Sequence, residues 1–157
     1  MPIEIERKYL VSGDSWRELA HESKRLRQGY LGGENCSIRV RIKGDEARLN
    51  IKSRELGTTR LEYEYPIPLD EAEEILERLT TGSLIEKTRH LVEHDGLVWE
   101  VDEFEGNNAG LMVAEVELEA DDQQFDKPAW AGTEVTDDER YYNARLAREP
   151  YRDWSDR

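Results

Sequence analysis

Glu4, Glu6 and Lys8 stand two apart in the opening stretch MPIEIERKYL, with Ile3, Ile5, Arg7 and Tyr9 at the other parity. A period of two makes this a strand with all three charges on one face. The pattern recurs along the chain. SIRVRIK carries Arg39, Arg41 and Lys43; ARLNIKS carries Arg48, Asn50 and Lys52; RLEYEYPI carries Arg60, Glu62 and Glu64. Further on, EKTR gives Lys87 and Arg89, WEVDEF gives Glu100 and Asp102, and AEVELE gives Glu115, Glu117 and Glu119. An ordinary solvated sheet face mixes Thr, Ser, Gln and Lys, whereas these faces are almost wholly ionic and each tends to one sign. Carboxylate oxygens suit hard cations such as Mg²⁺ or Mn²⁺. Arginine forks and lysines suit phosphate. A surface offering both suits a polyphosphate together with its metal. Nucleophilic chemistry has no such candidate. His21, His90 and His94 read as surface or loop residues, and Cys36 as a structural residue beside a Gly-rich loop. Lys87, next to Arg89 on one face, has a reason for a lowered pKa and is a candidate general base.

The elements that must position these residues are mostly strands. After the first strand, Asp14 or Ser15 can cap a short helical turn through Trp16, Leu19 and Ala20. Residues 25–31 read as extended. Residues 37–43 and 47–53 form a hairpin around Gly44-Asp45, and residues 85–93 and 97–104 another around His94-Asp95-Gly96. Residues 60–67 and 111–119 are further strands. Residues 70–80 are the clearest helix, with Leu69, Ala72, Ile75, Leu76 and Leu79 on one stripe and Asp70 and Glu73 near capping-box spacing. Thr136 with Glu139 is placed to cap a last helix carrying residues 141–147 and stopped by Pro150, and the two aromatics of the tail YRDWSDR can dock. About eight strands joined by hairpins rather than alternating with helices point to an antiparallel α+β sheet. The apolar strand faces need a cover. If helices cover the outside of a closed sheet, the charged faces line a polar lumen, which is costly unless opposite charges, metal ions and an anionic ligand balance it.

The chain has 157 residues, enough for one domain over residues 1–157. Its formal charge of −14 gives the wrong sign of long-range attraction for long nucleic acid or an anionic membrane. The single cysteine excludes an internal disulfide and fits a reducing, cytoplasmic setting. No apolar run approaches the ~20 residues of a membrane span, and no signal-peptide pattern opens the chain.

The ordered set EIERK, IRVRI, NIKS, RLEYEY, EKTR, WEVDEF and AEVELE, with the ending EVTDDERYYNARLA, resembles the CYTH family, the triphosphate tunnel metalloenzymes, over almost the whole chain. EIERK is similar to the family's Glu-x-Glu-x-Lys signature. The resemblance implies an eight-stranded antiparallel β-barrel forming a tunnel, with covering helices, that hydrolyses or cyclises triphosphates with a divalent metal, Mg²⁺ or Mn²⁺, two ions being expected. Carried over by position, Glu4, Glu6, Glu115 and Glu117 hold metal, joined through water by Glu62, Glu64 and Asp102. Lys8, Arg39, Arg41, Lys52, Lys87 and Arg89 hold the triphosphate, with Arg60 beside them. Tyr30 positions a terminal phosphate, and Glu100 and Glu119 flank the acids. The expected activity is hydrolysis of inorganic tripolyphosphate to pyrophosphate and orthophosphate. The rivals are a class IV adenylyl cyclase acting on ATP, a thiamine or nucleoside triphosphatase, and a non-catalytic polyphosphate-binding module.

Overall fold

The computed structural model of the chain describes residues 3–54 and 58–155. Nine strands and two α-helices follow in order: β1 (Ile3–Val11), β2 (Ala20–Leu31), β3 (Cys36–Lys43), β4 (Glu46–Ser53), β5 (Thr59–Ile67), α1 (Leu69–Arg78), β6 (Thr81–His94), β7 (Leu97–Phe104), β8 (Met112–Glu117), β9 (Ala131–Glu134) and α2 (Asn143–Leu146). Neighbours are antiparallel in the order β5-β4-β3-β2-β6-β7-β8-β1, and β1 closes the ring onto β5 through Ile3↔Leu61 and Glu4↔Arg60. β1 through β8 therefore form the expected eight-stranded barrel. The extra strand β9 pairs with the last part of β1, at Tyr9 and Val11, beyond the stretch that pairs with β5.

Short turns fix the registers. Asp95 (φ 49°) and Gly96 (φ 80°) both take positive φ between β6 and β7, as a type I′ turn requires. Gly44 (φ 63°) starts the two-residue turn between β3 and β4, the type II′ position of glycine. With registers fixed, a period of two sends every named charge on a strand to one side and its apolar neighbours to the other.

The outward apolar faces are covered in two different ways. Val40, Ile42 and Ala47 of β3 and β4 pack under Ala72 and Leu76 of α1, the expected helical cover. Tyr9, Trp99, Val101, Ala114 and Val116 of β1, β7 and β8 pack instead under Trp16 and Trp130. Trp16 comes from the 3₁₀ turn Ser15–Leu19 and Trp130 from the connection between β8 and β9. The two indoles of Trp99 and Trp130 meet edge-on at 5.5 Å. A helix over β1 is thus not found: Ile5 joins this tryptophan cluster from its edge, and Ile3 is 56% exposed.

A third apolar cluster lies on the lumen side. Tyr30, Ile85, Phe104, Leu111 and Val113 pack with Leu146 of α2 and close the β6–β8 side of the barrel end at which β2 and β7 finish. Tyr151 and Trp154 of the tail dock on it and on each other, 5.2 Å apart.

Several element limits differ from the sequence reading. α1 starts at Leu69 behind Pro68, so no capping box forms between Asp70 and Glu73. β8 ends at Glu117, short of Glu119. The last helix shrinks to four residues behind a 3₁₀ turn, Glu139–Tyr141, because Thr136 does not cap it. The Thr136 hydroxyl instead accepts from the Lys8 backbone N–H at 3.0 Å and donates to Glu134 at 2.6 Å. Among the described residues no helix is long and apolar enough to cross a membrane.

Candidate active site in the barrel lumen

The barrel encloses a cavity of about 460 Å³. Fifteen residues singled out from the sequence line it together: Glu4, Glu6, Lys8, Tyr30, Arg39, Arg41, Lys52, Arg60, Glu62, Glu64, Lys87, Arg89, Glu100, Glu115 and Glu117. Two do not. Asp102 lies behind the wall with its side chain 1% exposed, and Glu119 sits on the outer surface past β8. The three histidines and Cys36 are also outside: His90 stacks on Trp16 at 4.8 Å, and His94 pairs with Asp126 at 2.7 Å.

Two walls of opposite character face each other. The acidic wall is β1 and β8, where Glu6 pairs in register with Glu117 and Lys8 with Glu115. Direct cross-strand partners bring their side chains within about 5 Å. Burial, then the neighbouring carboxylates Glu115 and Glu4, push Glu6 up to about 8. Burial and the charges of Glu4 and Glu100 also raise Glu117. Burial raises Glu4 despite Lys52, whose Nζ is 2.7 Å away. Burial opposes ionisation of Glu115 as well, but Lys8, Arg89, Lys87 and Lys52 outweigh it and hold that carboxyl well below the usual range. Lys8 Nζ lies 3.6 Å from Glu115 and is capped by the Tyr142 ring at 5.0 Å.

The basic wall is β3. Arg39 is 9% exposed, its Nε is buried without a hydrogen-bond partner, and no carboxylate pairs with it among the described residues. Arg41 donates to Gln28 Oε1 at 2.8 Å and likewise has no carboxylate partner among the described residues. Burial, then Arg39 and Arg89, lower Arg41 to about 9, which leaves it charged at neutral pH. Arg60 lies over the Tyr142 ring at 4.5 Å.

Between the walls, β6 and β7 carry a buried ion cluster. Arg89 grips Asp102 with two parallel bonds, Nε to Oδ1 at 2.8 Å and Nη2 to Oδ2 at 2.9 Å, and reaches Glu100 at 3.1 Å. Lys87 Nζ donates to Asp102 Oδ2 at 2.7 Å and to Asn143 Oδ1 at 3.0 Å. Burial, with Arg89 and Arg41 as like charges, lowers Lys87 to about 7 against the pull of Asp102. Both oxygens of Asp102 are thus engaged by cations, which makes it a counter-charge rather than a free oxygen donor to the cavity.

The acidic wall fits a divalent cation in the chemistry of its donors. Among the described residues no three acidic or histidine side chains converge as a closed cage. Mg²⁺ rarely uses such a cage; it takes one or two carboxylates and completes its shell with water and phosphate oxygens. A cation beside Glu6 would also relieve the crowding that keeps that carboxyl protonated up to about pH 8.

Sequence reasoning missed Gln28, Asn143 and Tyr142. Gln28 is fully buried and ties Arg41, Tyr30 and Asn143 together. Its signal was available, because it shares parity with Tyr30 in RQGYL. Asn143 and Tyr142 gave none, since their stretch reads as a helix packed by its apolar residues.

The chain is similar to known proteins along nearly all its length. The CYTH domain model matches residues 2–146. An inorganic triphosphatase of Acetivibrio thermocellus is 46% identical over 154 residues, covering 98% of each chain. One of Nitrosomonas europaea is 42% identical over 149 residues, covering 92% of this chain and 96% of that one. The crystal structure of the inorganic triphosphatase NE1496 superposes with a TM-score of 0.67 at 38% identity, covering 94% and 95% of the two chains. With its closed barrel, its charged lumen and these matches, the chain belongs to the CYTH family.

Proposed function

We propose that this protein hydrolyses inorganic tripolyphosphate to pyrophosphate and orthophosphate, with a divalent metal, by in-line attack of water on a terminal phosphorus. One observation carries the reading: two largely buried arginines, Arg39 and Arg41, face a carboxylate wall across a 460 Å³ cavity with no carboxylate of their own among the described residues. Unpaired buried cations are costly, and a triphosphate supplies the missing charge. The two relatives named inorganic triphosphatase agree with it.

Phosphoryl transfer asks for positioning and charge neutralisation more than for covalent chemistry. Arg39, Arg41, Arg89, Lys52 and Lys8 hold the extended anion, and Tyr30 meets its end beside Arg39. Glu4, Glu6, Glu115 and Glu117 would hold the metal, which when bound neutralises phosphate oxygens and lowers the pKa of water. Lys87 accepts the proton of the attacking water. Its amine gives one hydrogen to Asp102 and one to Asn143, which leaves the lone pair of the neutral form free. Asp102 holds Arg89 and Lys87 in place and touches no substrate atom.

The test offers tripolyphosphate, ATP and thiamine triphosphate with Mg²⁺ and with Mn²⁺ and measures orthophosphate, pyrophosphate and cyclic AMP. Orthophosphate from tripolyphosphate in preference to the others is expected. Cyclic AMP as the main product, or tight binding without turnover, would overturn the proposal. Glu4→Gln and Glu115→Gln abolish metal-dependent turnover while the protein stays folded. Full activity in either would remove the assignment of the acidic wall.

A further inference from the structure

A second cavity of about 360 Å³ lies at the end of the barrel where β2 and β4 finish and β3 and β6 begin. It meets the lumen at Tyr30, Ser37, Arg54, Ala144 and Arg148, which line both spaces. Its chemistry is the opposite of the lumen's. Among the described residues no aspartate or glutamate lines it; the walls are backbone, small or apolar side chains, hydroxyls and two arginines, Arg54 and Arg148. In a chain of formal charge −14, a cavity whose described lining holds two cations and no acid is an anion site by composition.

Both arginines are placed by the fold. Arg54 is tethered to two carbonyls, Nη2 to Gly33 O at 2.7 Å and Nε to Cys36 O at 2.9 Å, which leaves its Nη1 hydrogens for a ligand. Arg148 follows α2, which is pinned to the start of β6 by the Ser83 N–H donating to Ala147 O at 2.8 Å. That approach requires Gly82, where a Cβ would stand 2.4 Å from the same oxygen. The Arg148 guanidinium has no hydrogen-bond or ion-pair partner among the described residues and faces both cavities.

We propose that this cavity is a second phosphate subsite that takes a phosphoryl group carrying no metal, with Arg54 and Arg148 as its cations. The lumen offers carboxylates for a metal–phosphate complex; the second cavity offers none among the described residues, so it selects a bare phosphate oxyanion. The proposal deepens the triphosphatase reading and rests on it for its role in turnover, though not for binding. The phosphoryl group has two possible sources: orthophosphate leaving after hydrolysis, or the distal group of a chain longer than three phosphates.

Binding and kinetics separate these. Titration of the whole protein with inorganic orthophosphate in excess chelator, followed by calorimetry, is expected to show two sites in the wild type and one in Arg148→Ala. An Arg148→Glu variant with the wild-type melting temperature controls for folding. One charge-assisted contact to phosphate is worth about 1.5–3 kcal/mol, or roughly a 10- to 100-fold loss of affinity. In turnover assays, a rise in the orthophosphate inhibition constant that exceeds the fall in tripolyphosphate kcat/KM identifies the product as occupant, since Arg148 also lines the lumen. A drop in kcat/KM that is larger for tetrapolyphosphate than for tripolyphosphate identifies the distal group. Equal stoichiometry in wild type and variant overturns the subsite, whether or not the protein hydrolyses anything. Absence of all turnover with the second binding site intact would instead sink the triphosphatase reading.

Discussion

Replacing Asp102 by asparagine isolates the electrostatics of the lumen. Asp102 is 1% exposed and accepts from Lys87 and twice from Arg89 at 2.7–2.9 Å. Asparagine keeps the shape and one oxygen, so no cavity opens. It removes the charge and turns an amide toward a cation. Lys87 and Arg89 are then left buried, with Glu100 and Glu115 as the nearest remaining acids. Removing one partner from a buried pair costs about 3–5 kcal/mol, a large part of the 5–15 kcal/mol that typically holds a domain together. For a chain of this size that is a fall in Tm of roughly 6–20 °C. The exposed pair of Arg25 with Glu105 at 3.1 Å is the control: Arg25→Ala costs under about 1 kcal/mol. Thermal and urea denaturation in chelated, phosphate-free buffer make the measurement. Burial opposes ionisation of Asp102, but Arg89 and Lys87 outweigh it and hold its folded pKa below the ordinary value. Its contribution is therefore present above about pH 4 and is lost as pH falls through the folded pKa. The gap between wild type and Asp102→Asn is full at pH 7 and narrows in acid. Added tripolyphosphate replaces the missing negative charge and raises the Tm of the variant more than that of the wild type. If Asp102→Asn melts within about 1 kcal/mol of wild type at pH 7 and tripolyphosphate stabilises both equally, the ion cluster does not depend on this charge, and the reasoning fails.

Glu6→Gln tests the acidic wall: because the folded pKa of Glu6 is raised to about 8, its stabilising contribution is present in acid and is lost as pH rises toward 8. In chelated buffer the variant therefore matches wild type near pH 4 and becomes more stable than it by pH 8.5; added Mg²⁺ erases that advantage, as melting curves at the two pH values will register. Gly29→Ala puts a Cβ 2.5 Å from Thr80 Cγ2 and 2.9 Å from Leu84 Cδ2, an overpacked contact under α1 expected to cost about 1–3 kcal/mol in urea unfolding. Asn143→Ala removes the acceptor shared by Lys87 and Gln28, so kcat falls with little change in KM, and an unchanged kcat would show that Lys87 needs no such hold.

The lumen was legible because a strand exposes its whole plan in the parity of its sequence. Glu4, Glu6 and Lys8, or Arg39 and Arg41, are sorted to one face by the pleat alone, and the Asp95–Gly96 turn fixes how β6 answers β7. Two things escaped that logic. The cover over Trp99 comes from Trp16 and Trp130 on irregular segments, whose order depends on the tryptophans they bury rather than on any periodicity of their own. Asn143 and Tyr142 work through contacts with residues more than 50 positions away, such as Lys87 and Arg60, and nothing local marks them. Asp102 failed differently: parity placed it on the lumen side correctly, but could not reveal that Arg89 and Lys87 fold over it and take both of its oxygens.

The net charge of −14 and a site for polyanions are compatible once charges are sorted by location. Among the described residues that line the lumen, the eight acids Glu4, Glu6, Glu62, Glu64, Glu100, Glu115, Glu117 and Glu139 are slightly outnumbered by the ten bases Lys8, Arg39, Arg41, Lys52, Arg54, Arg60, Lys87, Arg89, Arg145 and Arg148. Glu6, protonated up to about pH 8, tips the balance further toward positive charge. The excess negative charge therefore lies outside, for instance along α1 at Asp70, Glu71, Glu73, Glu74 and Glu77. An anion approaching this surface is repelled at long range and gains only on entering, where Arg39 and Arg41 stand without a carboxylate partner among the described residues in a low-dielectric well. Such a field disfavours long nucleic acids, which would have to lie along the acidic exterior, and favours a short polyphosphate small enough to leave that exterior behind. Selectivity by length is therefore the expectation from where the charges sit, with no pocket needed to read a base or a ring.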